Sequence, residues 1–163
     1  MVRRPAPRNK PFHGRVDVRR LNEPGLAEQL LSSARTIAVV GYSDKPFRPV
    51  SSVSGYLRSV GYRIIPVNPR LRGRLVDGEH AYDRIRDIPP EVAVDLVDVF
   101  RRGEFLDEVV DDAIAARVGA IWFQLDLGNV AAAERAERAG LRVIWDLCTA
   151  VEHRRLRAAP GSG

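Results

Sequence analysis

The side chains best suited to chemistry stand together in Gly41-Tyr42-Ser43-Asp44-Lys45-Pro46-Phe47-Arg48-Pro49, with Val50-Ser51-Ser52 directly behind them. Gly41 carries no Cβ, so the backbone there can come close to a ligand. Ser43 offers a hydroxyl beside Tyr42, and Lys45 and Arg48 offer positive charge. A helix expected to begin at Val50 adds unpaired N–H groups and the positive end of its dipole. Together these features suit a diphosphate. Lys45 is one of two lysines in a chain with 24 arginines, and a compact ammonium meets phosphate differently from a planar guanidinium.

Two further stretches offer complementary groups. Asn68-Pro69-Arg70-Leu71-Arg72-Gly73 places two arginines where a nucleotide-binding sheet often carries an acidic residue for the free ribose hydroxyls of NAD. Those arginines favour a phosphorylated ribose, and the 3′-phosphate of coenzyme A and the 2′-phosphate of NADP satisfy them equally. Phe100-Arg101-Arg102-Gly103 supplies an aromatic and two guanidinium groups, fit for stacking on a base and for phosphate contact. The alternative is a core phenylalanine followed by two solvated arginines. Gly41 lacks the partner glycines of GxGxxG, and no GK[ST] of a Walker loop occurs.

Evidence for a catalyst is thinner. Cys148, Glu152 and His153 stand near one another, yet on one helix Cys148 and His153 point about 140° apart. Glu152 shares the cysteine's face, and a neighbouring carboxylate raises a thiol's pKa. A structural cysteine is the better reading, with a mixed disulfide to a thiol cofactor as its functional rival. His13, His80 and His153 are scattered without metal-ligand spacing, and there is no Gly-x-Ser-x-Gly elbow. No catalytic or metal residue is expected.

The elements that must position these groups alternate short β-branched runs with amphipathic stretches. Strands are expected at 36–41, 62–67, 93–100, 120–124 and 141–146. Helices are expected at 25–34, 51–60, 82–88, 104–117, 130–139 and 149–157, with Phe105, Val109, Ala113 and Ile114 facing inward on the fourth. Strands separated by helices need crossovers, hence a parallel sheet. The fold class is α/β: one Rossmann-like, doubly wound domain with five parallel strands, in the order 3-2-1-4-5. Its ligand belongs beyond the carboxyl ends of the strands, and the loops discussed above all lie there.

The chain has 163 residues, 45% of them hydrophobic, enough for one core. Residues 1–22 read as a basic, flexible arm, 23–157 as the domain and 158–163 as a disordered tail. Of the net charge of +5, residues 1–20 supply +6 and the remainder −1. The body is close to neutral, which disfavours nucleic acid as the principal partner. With no membrane-length apolar run, no signal segment and a single cysteine, a cytoplasmic protein is expected.

Five motifs in order make the chain recognisable: VGYSDKPFRP, GYRIIPVNP, DVFRR, WFQL and AGLRVIWDLCTAVEH. From Thr36 to about Leu156 it resembles the small bacterial CoA-binding proteins, which are similar to the CoA-binding domain of succinyl-CoA synthetase α subunits. The resemblance implies a Rossmann-like fold holding coenzyme A or an acyl-CoA across the strand ends, with no demonstrated chemistry, singly or as a homodimer. Gly41, Tyr42, Ser43, Lys45 and Arg48 would line the diphosphate and ribose. Asn68, Pro69 and Arg70 would border the adenosine side, and Phe100 and Arg101 would flank the nucleotide. Gln124 and Leu125 would approach the pantetheine. The chain departs from the family pattern at Gly103, Asp126 and Leu147, where proline, glycine and a basic residue are usual. An NADP- or other nucleotide-dependent enzyme on the same scaffold is the alternative.

Overall fold

The computed structural model describes residues 21–161. Helix α1 (Leu26–Ser33) leads into strand β1 (Thr36–Val40), helix α2 (Pro49–Ser59) and strand β2 (Arg63–Val67). A short antiparallel hairpin follows, β3 (Leu75–Val76) with β4 (Glu79–His80). Then come β5 (Leu96–Val99), α3 (Leu106–Ala115), β6 (Ala120–Phe123), α4 (Val130–Arg138), β7 (Arg142–Trp145) and α5 (Thr149–Ala158). The five long strands form one parallel sheet, β2-β1-β5-β6-β7.

Burial explains the composition of these strands. Every residue of β1, β5 and β6 is buried, because a parallel sheet is covered on both faces. Pleating sends alternate residues to opposite sides. Ala38, Val40, Val97, Val99, Ile121 and Phe123 pack with Leu106, Val110, Ala133 and Ala136 of α3 and α4. Ile37, Val39, Leu96, Trp122 and Ile144 pack with Leu30, Leu57 and Ala150 of α1, α2 and α5. Capping sets the helix limits: the Asn129 side chain accepts from Ala132 N–H at 2.8 Å to open α4. Gly140, at φ +93°, closes it.

The fold class stands, but three details differ from the sequence reading. First, the third long strand lies beside β1, not beyond β2, so the order is 2-1-3-4-5. The flank of β2 is already taken: β4 packs against it and Tyr82 bridges Val67, so the chain must return across the sheet to find an open partner. Second, residues 82–88 hold only a single tight turn at Ile85–Asp87. Third, α3 starts later, and Phe105 and Ile114 are exposed while Leu106 and Val110 take the inward face.

At the ends of the chain, Leu21 is buried and Asn22 is fixed to β7. The Asn22 side chain donates to the Trp145 carbonyl and accepts from the Trp145 N–H, both at 2.7 Å. The body therefore begins before residue 23, and Ala158 still belongs to α5. The rest of the expected arm, residues 1–20, and residues 162–163 lie outside the described residues. Among the described residues no helix is long and apolar enough to cross a membrane.

Candidate functional site

The winding changes direction between β1 and β5, which places a crevice over their carboxyl ends. An open pocket of about 650 Å³ occupies it. The loop from β1 to α2 forms one wall, through Gly41, Tyr42, Ser43, Asp44, Lys45 and Arg48. Asn68, Arg70 and Leu71 follow from β2, and Phe100, Arg101 and Arg102 from β5.

That loop is built from the backbone outward. Gly41 sits at φ +80°, and a Cβ there would stand 2.7 Å from the Phe100 carbonyl oxygen. Any side chain would push the β1 and β5 loops apart. The Ser43 hydroxyl accepts from Lys45 N–H at 3.2 Å, making a tight local turn. The Ser51 hydroxyl lies 2.9 Å from the Ser43 carbonyl and 2.7 Å from that of Lys45, holding the turn onto α2. Asn68 Nδ2 donates to the Tyr42 carbonyl at 2.7 Å, so the β1 and β2 loops move as one.

The Tyr42 side chain points away from the pocket. Its hydroxyl donates to Asp77 at 3.0 Å and accepts from Arg58 at 3.2 Å, and burial pushes the phenol above its ordinary pKa. Arg74 holds Asp44 at 3.1 Å. Both tethers come from the β3–β4 hairpin and its approach, an element the sequence reading lacks. Its signal was the Asp77-Gly78 pair, both at positive φ, the residues a two-residue hairpin turn prefers. Ser51 had no comparable signal, since a serine in a first helical turn more often caps its own helix.

Electrostatically the pocket is lopsided. Lys45, Arg48, Arg70, Arg101 and Arg102 line it against Asp44 alone, and Asp44 is paired with Arg74. Among the described residues none of the five cations has a carboxylate within ion-pair distance. Helix α2 begins at Pro49 with no side-chain cap on its N–H groups, and this end also faces the pocket. Cations unpaired among the described residues and an open helix start are together suited to an anion such as a phosphate.

Not every expected residue lines the pocket. Gln124 is buried, and its Nε2 is held by Asp98 at 2.6 Å and by the Thr149 hydroxyl at 2.7 Å. Its side chain turns into the core, away from the pocket. The turn that follows closes from Leu127 N–H to the Gln124 carbonyl at 3.1 Å. It sends Leu125 into solvent and brings Leu127 to the pocket wall instead. Pro69 borders a smaller neighbouring hollow, and Arg72 pairs with Asp83 at 3.7 Å, outside the pocket.

Asp98 is fully buried, and burial pushes its carboxyl up to about 7 despite the bonds from Gln124 and Thr149. Cys148 stands directly before α5 without a side-chain bond to cap it, half-buried against the core. His153 stands 2.8 Å from the Tyr56 hydroxyl and edge-on to both Tyr56 and Tyr62. Burial, Arg157 and Arg154 hold its pKa below the usual value. Among the described residues no group of His, Cys, Asp and Glu could hold a metal ion.

These features can be set beside known proteins. The chain is 36% identical to the Bacillus subtilis uncharacterized protein YneT over 135 residues, covering 82% of this chain and 97% of that one. It superposes on a Thermus thermophilus structure, cell-free ID.343, with a TM-score of 0.73 and 40% identity, covering 79% and 95% of the two chains. A hypothetical protein from Pyrococcus horikoshii OT3 gives 0.74 and 34%, covering 81% and 90%. Residues 35–154, the span that carries the sheet and every pocket loop, match the family model described as CoA binding domain, and the chain belongs to that family.

Proposed function

We propose that the protein binds coenzyme A, free or acylated, and holds it without transforming it. The diphosphate lies across the β1–α2 loop, where Lys45, Arg48 and the start of α2 converge, with Arg70 turned to the ribose phosphate. One observation carries this reading: five cations with no acidic partner among the described residues ring an open pocket beside an uncapped helix start. Membership of the CoA binding domain family supports coenzyme A as the ligand. A holding role is supported by how the candidate catalytic groups are used. Neither Cys148 nor His153 lines the pocket, and His153 is engaged by the Tyr56 hydroxyl.

Thermal shift with coenzyme A, dephospho-coenzyme A, NADP and NAD in parallel tests it, because stabilisation follows affinity for the folded state. Coenzyme A should raise the melting temperature most and NAD least. Stabilisation by NADP alone would sink the proposal.

A further inference from the structure

The pocket wall backs onto a buried carboxyl group with no cation to meet it. Asp98 lies on β5 two residues before Phe100, so its backbone stands about 7 Å along the strand from a residue that lines the pocket. Its side chain is fully buried, on the face of the sheet that α2 and α5 cover. Gln124 Nε2 donates to Oδ1 at 2.6 Å and to the Thr149 hydroxyl at 2.7 Å, and that hydroxyl lies 3.0 Å from Oδ2. The three side chains close a ring that ties β5 to the end of β6 and the start of α5.

The surroundings of this ring are apolar. Val39 of β1 and Trp122 of β6 flank Asp98 in the sheet, and Leu30, Val50, Val53, Leu57 and Ala150 fill the layer from α1, α2 and α5. The titratable groups of that layer are the phenols of Tyr42, Tyr56 and Tyr62 and the thiol of Cys148. On α5, His153 is turned to Tyr56 and Glu152 to Arg155. Among the described residues only Gln124 and Thr149 bond the carboxyl, and burial outweighs them, pushing it up to about 7. An asparagine would complete the same ring without any ionisation cost. A carboxylic acid adds a charge that is gained or lost near neutrality.

That charge stands where the ligand would sense it. An ionised Asp98, sealed from water, is poorly screened from a polyanion held at the end of its own strand. A bound diphosphate also cancels the positive field of Lys45, Arg48 and Arg101, which favours the carboxylate while the pocket is empty. Both effects have the same sign. A mechanical link runs alongside them: Gln124 is fixed by the ring, its carbonyl accepts from Leu127 N–H at 3.1 Å, and Leu127 lines the pocket. We infer that ligand binding is coupled to proton uptake at Asp98, so that the protein holds its anionic ligand more tightly with this carboxyl neutral than ionised. By reciprocity the bound ligand strengthens the carboxyl's hold on its proton. The inference rests on the proposed coenzyme A reading and adds a response to pH.

Titration calorimetry at neutral pH in two buffers of different ionisation enthalpy counts the protons taken up as coenzyme A binds, for the full chain and for Asp98→Asn. Protons exchanged by the ligand's own phosphates and by His153 occur in both proteins and cancel in the difference. The wild type should take up more protons than the variant. Between about pH 6 and 8 its affinity should fall about fivefold relative to Asp98→Asn. Thr149→Val keeps the carboxyl but removes a bond that favours its charged form, so the fall should move to higher pH. Circular dichroism checks that both variants fold. Equal proton counts, affinity curves that stay parallel, or a profile unmoved by Thr149→Val overturn the coupling and leave coenzyme A binding standing. Wild-type protein that binds no coenzyme A across that range overturns both readings.

Discussion

Tyr42 and Asp77, 35 residues apart, meet through a 3.0 Å hydrogen bond that fastens the ligand loop to the tip of the β3–β4 hairpin. Arg58 supports both partners, at 3.2 Å from the phenol and 3.3 Å from the carboxylate. The hairpin thus acts as a brace for the loop. Tyr42→Phe removes both hydrogen bonds of the phenol while leaving the Arg58–Asp77 pair, so the expected loss is about 1–2 kcal/mol, or roughly 2–8 °C in melting temperature. Scanning calorimetry checks this, and an unchanged transition would mean the brace carries no load.

Gly41 should be the least replaceable residue of the loop. A left-handed backbone costs a non-glycine residue roughly 1–2 kcal/mol, and at Gly41 the Phe100 carbonyl adds a clash at 2.7 Å. Gly103 has φ +48° with open space around it, so Gly103→Ala reports the backbone cost alone. In urea denaturation Gly41→Ala should lose clearly more stability than Gly103→Ala. Equal losses would show that the two loops can part without penalty.

Lys45→Ala should lower affinity for coenzyme A about tenfold or more, the range of a charge-assisted bond. Pantetheine, which has no diphosphate, should bind the variant as it binds the wild type. The difference should shrink with added salt, because the pocket is open to screening. Equal losses for both ligands in titration calorimetry would remove Lys45 from the phosphate site.

Asp98 sets a pH dependence of stability. Its carboxyl keeps its proton up to about pH 7, against 3.8 for an ordinary aspartate. Protonation therefore favours the fold. That contribution is complete below about pH 4, erodes as pH rises and is lost above about pH 7. Asp98→Asn supplies a permanently neutral group of the same shape. The variant's melting temperature relative to wild type should climb between about pH 4 and 7 and then level off. Curves that stay parallel across that range would mean Asp98 is already ionised within the fold.

Much of this was legible from residue types alone. Runs such as Thr36–Val40 and Ala120–Phe123 announced buried strands, since few other positions need so many consecutive β-branched or aromatic side chains. The β1–α2 loop was legible because Lys45 and Arg48 serve no core and follow a strand that ends in glycine. Strand order was not legible. Nothing local in β5 says which flank of β1 is open; the hairpin decides that by covering β2. The orientation of Gln124 was not legible for a related reason. An amide after a strand looks the same whether it faces a ligand or turns back onto a carboxylate 26 residues earlier and a hydroxyl 25 residues later. Leu125 and Leu127 likewise exchange roles through one turn, closed from Leu127 N–H to the Gln124 backbone carbonyl, that residue types alone do not announce.

The asparagine that grips Trp145 has a consequence for life in a crowded solution. A border strand offers bare N–H and C=O groups to any passing extended chain, the usual start of sheet-to-sheet accretion. Asn22 answers both groups of Trp145 with one amide, mimicking a neighbour's backbone. On the opposite border, the Tyr82 N–H donates to the Pro66 carbonyl of β2, and its own carbonyl accepts from Asn68 N–H. Asn22 on one rim and Tyr82 on the other each give part of the sheet's edge a partner from its own chain, leaving fewer bare groups for a stray strand to pair with.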